Sequence, residues 1–354
     1  MSLQNYNSQP GRINKLLGQI LAHAEPVEVT GNVGIMKDVP KNKGDTVIFR
    51  RWVPVGSSNQ NQFFPTTTAV DRGNAFAQQY IASEGVTPAP LSLTAQDYPV
   101  TLQQLIIIFG FSDKMADQYE DDVPSEYKLQ VGQQLGLARE MLRFGAIKAS
   151  TNRFYGGTGT TRATVNGKLT ITLLRKIAKS LKANHAKQIT KVLKPGVEYG
   201  TVAVAKSYMV YMHTDGEPDI YDLPKFKDVV DYAQGSAALP NEIGSCEGFR
   251  FVTSPDLPSV LDGGAAVGSL GLQSNLGTSI DVYQMVVAAA DAWGQIQMKN
   301  ANGISGTSAK VLLPDQEDKN DPAGQRGYVT AKNWFNALVL NSTWVAVAEI
   351  GVSA

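Results

Sequence analysis

The residue types that most often carry out chemistry are few in this chain and far apart in the sequence. His23, His185 and His213 are the only histidines, and their spacing excludes the paired-histidine pattern of a helix-borne zinc site. Cys246 is the only cysteine, so no disulfide can form within the chain, and no nucleophile motif surrounds it. A site that joins Cys246 to distant histidines stays open, but the spacing itself predicts neither metal-dependent nor nucleophilic catalysis.

A glycine-rich run and two acidic stretches are the remaining candidates for ligand binding. Residues 156–161 read GGTGTT, without the Gly-Lys-Ser/Thr ending of a phosphate loop and without the third glycine of a dinucleotide motif. The acidic residues of 213–219 and 315–321 do not follow the calcium-loop pattern. We interpret the first segment as a turn and the other two as solvated loops. The chain is therefore expected to have no catalytic residues, no bound cofactor and no metal.

The composition favours a protein that buries surface against neighbours. Charged residues make up 18 % of the 354 residues, below the average of about 25 % for soluble proteins. Lys+Arg and Asp+Glu both count 32, so the net charge is zero, whereas nucleic-acid binders usually carry a basic excess. The best local exception is the basic face of a predicted helix, which we interpret as a solvated face: Arg175, Lys176, Lys179 and Lys182.

The beginning of the chain and its apolar segments predict no export and no membrane span. Residues 1–26 lack a basic start followed by a continuous apolar run, so they do not form a secretory signal. The densest apolar cluster, residues 105–109, is far shorter than the roughly 18 residues that a membrane span needs.

Hydrophobic periodicity predicts interspersed helices and strands, which is typical of an α+β fold. The clearest helix is 125–150, with Ser125 as N-cap and one apolar stripe: Tyr127, Val131, Leu135, Ala138, Met141, Leu142 and Gly145. A glycine-rich hairpin is predicted at 154–168, a second helix after Thr170, and a weaker helix at 221–234. The segments with strand periodicity are 45–55, 91–102, 202–212, 249–253, 282–289 and 334–350.

Residues 46–104 are predicted to form a long two-stranded ribbon with a polar tip. Phe63 and Phe64 lie in that tip without an evident local core. Because isolated two-stranded ribbons are marginal in water, we expect this ribbon to lie on another surface.

The most informative stretch is 241–256, NEIGSCEGFRFVTSPD. Gly244 and Gly248 are expected to bracket a turn before a strand that alternates Phe249 and Phe251 with Arg250 on its other side. This sequence resembles a signature of the major capsid proteins of tailed bacteriophages, in their N-four-type branch. The order of the predicted elements agrees with the HK-ninety-seven-like fold of that family over most of the chain.

The resemblance implies an α+β capsid fold with four parts. Residues 1–45 would be an N-terminal arm and 46–104 the extended β-hairpin loop. Residues 105–175 and 316–354 would form a peripheral domain with a spine helix at 125–150, and 176–315 an axial domain. The ribbon would then lie across a neighbouring subunit rather than on its own core, with Phe63, Phe64 and Trp52 as candidate interface residues.

The same resemblance implies a structural protein and no enzyme. It would self-assemble into pentamers and hexamers of an icosahedral shell that encloses the phage genome in the virion, after assembly in the host bacterial cytoplasm. Its partners would be further copies of itself, a separate scaffolding protein, a portal and, where one is present, a decoration protein. It would enclose double-stranded DNA without strong direct binding and would contact no membrane. Two alternatives stay open: the shell protein of a bacterial nanocompartment with the same fold, and a soluble α+β enzyme.

Overall fold

A computed structural model describes residues 28–354 apart from 41, 43, 55–79, 88–89, 91, 119–122, 194–200, 233–236, 238, 240, 269, 299–307 and 315–320. The strands within this range are β1 (Ile35–Val39), β2 (Thr46–Trp52), β3 (Ala95–Thr101), β4 (Gln103–Ser112), β5 (Arg153–Tyr155), β6 (Ile189–Leu193), β7 (Thr201–Met212), β8 (Lys227–Asp228), β9 (Glu242–Cys246), β10 (Phe249–Thr253), β11 (Tyr283–Ala288), β12 (Trp293–Met298), β13 (Ser308–Leu312), β14 (Arg326–Val339) and β15 (Val345–Ile350). The helices are α1 (Asp113–Gln118), α2 (Val123–Lys148), α3 (Ile171–Ala183) and α4 (Glu217–Tyr221). The expected α+β fold class is confirmed.

The first sheet is built around the long strand β14. β12 and β13 pair with successive parts of one edge of β14, β4 pairs with its other edge, and β1 adds to β12 in parallel. Alternate residues of β14 are buried, as period-two strands with one packed face require. The packed face meets α2, where Val131 and Leu135 lie against Phe111 and Val329.

The second sheet has the strand order β5-β15-β11-β7-β10-β9-β8, and β6 also pairs with β7. β11 and β15 are buried at every residue because both faces of this sheet are covered. One face packs on α3 through Leu174 and Ile177, and the other packs on Phe144 and Ile147 of α2. Thr170 caps α3 as predicted, with its hydroxyl accepting from the Leu173 N–H at 3.3 Å.

Helix α2 joins the two sheets, and this explains why one apolar stripe does not describe it. Its 26 residues span about 39 Å. Val131 and Leu135 face the first sheet, whereas Phe144 and Ile147 face the second. At about 100° per residue these two buried faces differ by roughly 170° around the helix axis. The predicted single stripe is therefore wrong beyond Leu135, and the N-cap prediction is wrong because the helix begins at Val123.

A buried polar cluster lies where α2 passes from one sheet to the other. The Glu140 carboxylate accepts from the N–H groups of Val29 and Thr30 at 3.2 and 2.9 Å and from Arg143 at 2.5 Å. Arg143 also donates to the Gln295 side chain at 2.9 Å, and both charged residues are 1 % exposed. The cluster ties α2, the segment before β1 and strand β12 together. Sequence reasoning missed it because charged residues are expected outside the core.

Three predicted elements differ from the observed structure. The predicted hairpin at 154–168 is wrong, since β5 pairs in parallel with β15 and the segment that follows folds back so that Arg162 reaches Glu349 at 2.6 Å. The helix predicted at 221–234 is wrong over its described residues, because α4 ends at Tyr221 and Lys225 has a left-handed φ of 67°. Gly244 lies inside β9, and the turn before β10 consists of Glu247 and Gly248, both with positive φ.

The pairing of the strands crosses the boundaries predicted for the domains. β12 and β13 lie in the first sheet with β4 and β14, while β5 and β15 lie in the second with β7 and β10. Residues 35–39, expected in the arm, form a strand of the first sheet. The assignment of the four parts as arm, loop, peripheral and axial domain stays a prediction.

Candidate assembly interface

The ribbon predicted at 46–104 exists as the antiparallel pair β2–β3, and its two faces differ. On the inner face, Phe49 and Val100 are 5 % and 4 % exposed and pack on Ile296 and Leu340. Phe49 covers Gly294 so closely that a Cβ added there would lie 2.8 Å from its ring. This face lies on the chain's own first sheet, so the expectation of a ribbon held away from its own core is wrong for β2 and β3.

The outer face of the ribbon is exposed and carries both apolar and polar cross-strand pairs. The apolar pairs are Ile48 with Pro99 and Trp52 with Ala95, and the polar pairs are Arg50 with Asp97 and Thr46 with Thr101. Ile48 and Trp52 are 54 % and 58 % exposed, and Arg50 binds Asp97 between them at 2.7 Å. An exposed tryptophan and isoleucine on one face of an ordered ribbon form a surface suited to packing against another molecule. We call Ile48, Pro99, Trp52 and Ala95 the outer ribbon face.

The base of the ribbon is held in a fixed direction. The Leu102 N–H donates to the Asp45 carbonyl at 2.8 Å, and the Asn336 side chain donates to the Thr101 carbonyl at 2.7 Å. Near the other end, Arg51 stacks over the Trp344 ring at 5.0 Å. Such anchoring presents the outer ribbon face with little loss of conformational entropy on binding.

Of the candidate interface residues, the structure describes only Trp52, which is exposed on the outer ribbon face. Phe63 and Phe64 lie outside the described residues. Sequence reasoning missed Ile48, although period two places it on the same face as Arg50 and Trp52.

The basic face of α3 is exposed, as predicted. One of its four basic residues, Arg175, forms an ion pair. Arg175 binds the Glu247 carboxylate with two hydrogen bonds of 2.6 and 2.9 Å, and Lys225 adds a contact of 3.4 Å. The hydrogen bonds from Arg175 and the nearby positive charges lower the pKa of Glu247 from 4.5 to about 2. The pair joins α3 to the turn that precedes β10.

This lowered pKa predicts an acid-sensitive contribution to stability. A carboxyl group whose pKa is depressed in the folded protein stabilises it above the unfolded pKa, and that contribution is lost as the pH falls through the folded pKa. The melting temperature of the wild-type subunit should therefore fall towards that of Glu247→Gln between pH 4.5 and about 2. Thermal unfolding followed by circular dichroism measures this convergence. The control Glu84→Gln alters an exposed glutamate elsewhere, and parallel curves for wild type and Glu247→Gln would contradict the assigned pair.

The other residues singled out for chemistry do not converge where the structure describes them, and His23 and residues 315–320 lie outside the described residues. Within the described ranges no group of three His, Cys, Asp or Glu side chains could hold a metal ion. Cys246 is buried, and burial raises the pKa of its thiol, which disfavours the reactive thiolate. His213 accepts from the Asp215 N–H at 3.0 Å and lies in a turn. None of the helices in the described part of the chain is both long and apolar enough to cross a membrane.

Comparison with known proteins gives a consistent result over nearly the whole chain. No family model matches the sequence. The major capsid protein of Pseudomonas phage KPP21 is 18 % identical, over 97 % of this chain and 96 % of that protein. Among solved structures, the capsid of Ralstonia phage GP4 has a TM-score of 0.64 at 10 % identity, covering 100 % of this chain and 99 % of the other. The head of Helicobacter pylori bacteriophage KHP40 has a TM-score of 0.59 at 10 % identity, with coverages of 99 % and 98 %.

The fold is thus the HK-ninety-seven-like fold of phage capsids, as the resemblance implied. Together with a relative that matches almost end to end, it identifies the chain as a tailed-phage major capsid protein. Its role is structural rather than enzymatic, and the nanocompartment and enzyme alternatives are not favoured. The assignment to the N-four-type branch stays a prediction.

Proposed function

We propose that this chain self-assembles into pentamers and hexamers of an icosahedral shell, and that the outer ribbon face packs on a neighbouring subunit of that shell. The observation that carries the proposal is the pair of exposed residues Ile48 and Trp52 on a ribbon whose other face is anchored to its own subunit. The similarity to phage capsid proteins over the full length supports the shell itself.

The energetics favour a contact of this kind. Complete burial of a fully exposed large apolar side chain contributes about 1.5–3 kcal/mol. Ile48 and Trp52 are 54 % and 58 % exposed, so burying the exposed part of both contributes about 1.7–3.4 kcal/mol per contact. Obligate interfaces bury roughly 2,000–5,000 Å², and the same contact is repeated many times in a closed shell. The Arg50–Asp97 pair lies between the two apolar residues and can exchange partners with a neighbour.

The finer assignments follow from the same proposal. The ribbon corresponds to the extended loop of capsid subunits and α2 to their spine helix. A separate scaffolding protein, a portal and a decoration protein are proposed partners, and assembly is proposed to take place in the host cytoplasm. The balanced charge of the chain supports a wall that encloses double-stranded DNA without strong direct binding.

The double variant Ile48→Ser/Trp52→Ser tests the outer ribbon face. We expect it to fold, because both residues are more than half exposed, and to lose most shell assembly. The assembled fraction is measured by light scattering and electron microscopy, with circular dichroism as the check on folding.

Leu129→Ser provides the matched control, since Leu129 is 47 % exposed and lies on α2 rather than on the ribbon. An unchanged shell yield for the ribbon variant would refute the contact. An equal loss of shell yield in Leu129→Ser would show that assembly is sensitive to any exposed apolar residue and not to the outer ribbon face in particular. Wild-type protein that stays monomeric or dimeric under assembly conditions, with scaffold present, would refute the shell.

A further inference from the structure

The inner face of the ribbon touches the rest of its subunit through two contacts of different chemistry. The apolar contact joins Phe49 and Val100 to the first sheet. Two residues after Phe49, on the same face of β2, the half-buried Arg51 stacks on the indole of Trp344, with its guanidinium carbon 5.0 Å from the ring centre. At about 3.4 Å per residue, the two contacts lie roughly 7 Å apart along the strand. The Arg51 contact is therefore a second, separate support for the ribbon.

Trp344 offers a fixed surface for this contact. It ends the turn Ser342–Trp344, which connects β14 of the first sheet to β15 of the second. Its indole N–H donates to the carbonyl of Asn184, the C-cap of α3, at 2.8 Å, and its own carbonyl accepts from the Ala289 N–H at 3.1 Å. Its side chain packs against the hydrophobic clusters on both faces of the second sheet. The position of Trp344 is thus set by the second sheet, whereas Phe49 rests on the first.

Arg51 is tied to both strands of the ribbon. It belongs to β2, and its guanidinium donates a hydrogen bond to the side chain of Tyr98 on β3. The Tyr98 hydroxyl donates in turn to the side chain of Gln96 at 3.0 Å, and Gln96 is the residue directly opposite Arg51 in the ribbon. The attraction between a cation and an indole ring is stronger where both are partly withdrawn from water, as they are here. One side chain therefore connects the whole width of the ribbon to Trp344.

We infer that Arg51 is a positioning residue, whose stack on Trp344 sets the direction in which the ribbon leaves the subunit and so aims the outer ribbon face at the neighbouring copy. This inference rests on the proposed contact of that face. Two-stranded ribbons are marginally stable by themselves, so a support at Phe49 alone leaves the strands beyond it free to bend. The stack places a second support next to Trp52, the exposed residue of the outer ribbon face. The direction that fits the neighbour is then populated before the neighbour arrives, which raises the apparent affinity of the contact.

Distances within the unassembled subunit test the positioning directly. Spin labels are attached at Thr94→Cys on the ribbon and at Lys179→Cys on α3, both exposed positions, in a Cys246→Ser background. Double electron–electron resonance then measures the distribution of distances between the labels. We expect one narrow distance with Arg51 in place and loss of that narrow distance in Arg51→Met, which keeps a long side chain without the cation. Arg51→Lys keeps a cation for the indole and should recover the narrow distance.

Arg50→Met is the matched control for the distance measurement. Arg50 precedes Arg51 on the same strand, but it lies on the outer face of the ribbon, where it pairs with the exposed Asp97 at 2.7 Å. Its removal takes a guanidinium from β2 without touching the stack, so the narrow distance should persist. An unchanged distance in Arg51→Met would overturn the inference, and so would an equal broadening in Arg50→Met. Circular dichroism checks folding, and Arg51→Gln repeats the test if the methionine variant does not fold.

Assembly without spin labels provides the second measurement. The attraction of a partly desolvated cation to an indole corresponds to about a tenfold change in the population of the aimed ribbon. The protein concentration at which shells first form, followed by light scattering, should therefore rise about tenfold in Arg51→Met and return most of the way in Arg51→Lys. The melting temperature of the unassembled subunit should stay the same in both variants, whereas a merely structural role would lower it together with assembly.

The two measurements separate this inference from the proposed shell. Shells that form at the wild-type concentration in Arg51→Met would overturn the positioning role and leave the proposed function intact. A melting temperature that falls in step with assembly would overturn it as well. Wild-type protein that forms no shells, combined with a narrow distance that depends on Arg51, would support the positioning of the ribbon and refute the shell.

Discussion

Replacing Gly34 with alanine is expected to lower the free energy of unfolding by about 2–5 kcal/mol. Gly34 has a φ of 104°, a conformation that costs a residue with a side chain about 1–2 kcal/mol. An added Cβ would also overlap the indole of Trp293, which is fully buried and packs edge-on against Tyr211 at 6.4 Å. Overpacking of this kind costs about 1–3 kcal/mol. Urea unfolding of the unassembled subunit measures the sum.

Gly44→Ala separates the two contributions to this loss. Gly44 has a similar φ of 91°, but an added Cβ would have no neighbour within 4 Å. Its variant should therefore lose only the backbone contribution of about 1–2 kcal/mol. Equal losses in the two variants would contradict the overpacking contribution. They would show that Trp293, at the start of β12, moves aside without cost when a side chain is added at Gly34.

The local elements of the fold were predictable wherever one periodicity governs a segment. Leu173, Leu174, Ile177 and Leu181 recur at helical spacing on α3, and all four are buried against the second sheet. The alternation at Phe249–Thr253 is equally clear, because each face of β10 meets a different hydrophobic cluster. In these segments the packing partner lies on a constant side, so residue spacing alone reports it.

Prediction failed where a segment changes its partner along its length. Helix α2 leaves one sheet for the other, so its buried side turns from Val131 and Leu135 to Phe144 and Ile147. Residues 35–39 carry no strong strand pattern, yet they pair with β12, more than 250 positions later in the chain. Neither feature is local, and a sequence read by windows contains no signal for such distant partners.

At the candidate interface, too, the local pattern was predictable and the contacts between distant positions were not. The ribbon followed from period two, and Trp52 was named as a candidate interface residue through the resemblance to capsid proteins. The anchoring of the inner face depends on Gly294, where only the lack of a side chain lets Phe49 approach the first sheet. That contact joins positions that are distant in the sequence, and no motif marks it.

The buried Glu140–Arg143 pair should produce the other large single-residue effect. Glu140→Gln keeps an acceptor for the N–H groups of Val29 and Thr30 but removes the charge that balances Arg143, which is 1 % exposed. Removing one partner of a buried ion pair costs about 3–5 kcal/mol, because the remaining charge is left without compensation. Urea unfolding should show this loss. Glu126→Gln, a half-buried change near the start of the same helix, should alter the free energy of unfolding by no more than about 0.5 kcal/mol.

A double-mutant cycle distinguishes the ion pair from general sensitivity of the helix. If Glu140 and Arg143 stabilise the junction mainly through each other, the variant Glu140→Met/Arg143→Met should lose less than the sum of the two single variants, by about 0.5–3 kcal/mol. The remaining loss would come from the N–H groups of Val29 and Thr30 and from Gln295, which lose their charged partners. Additive losses would contradict the pairing. If only Arg143→Met lowers the free energy of unfolding, the junction is stabilised by the hydrogen bond from Arg143 to Gln295 of β12 rather than by the ion pair with Glu140.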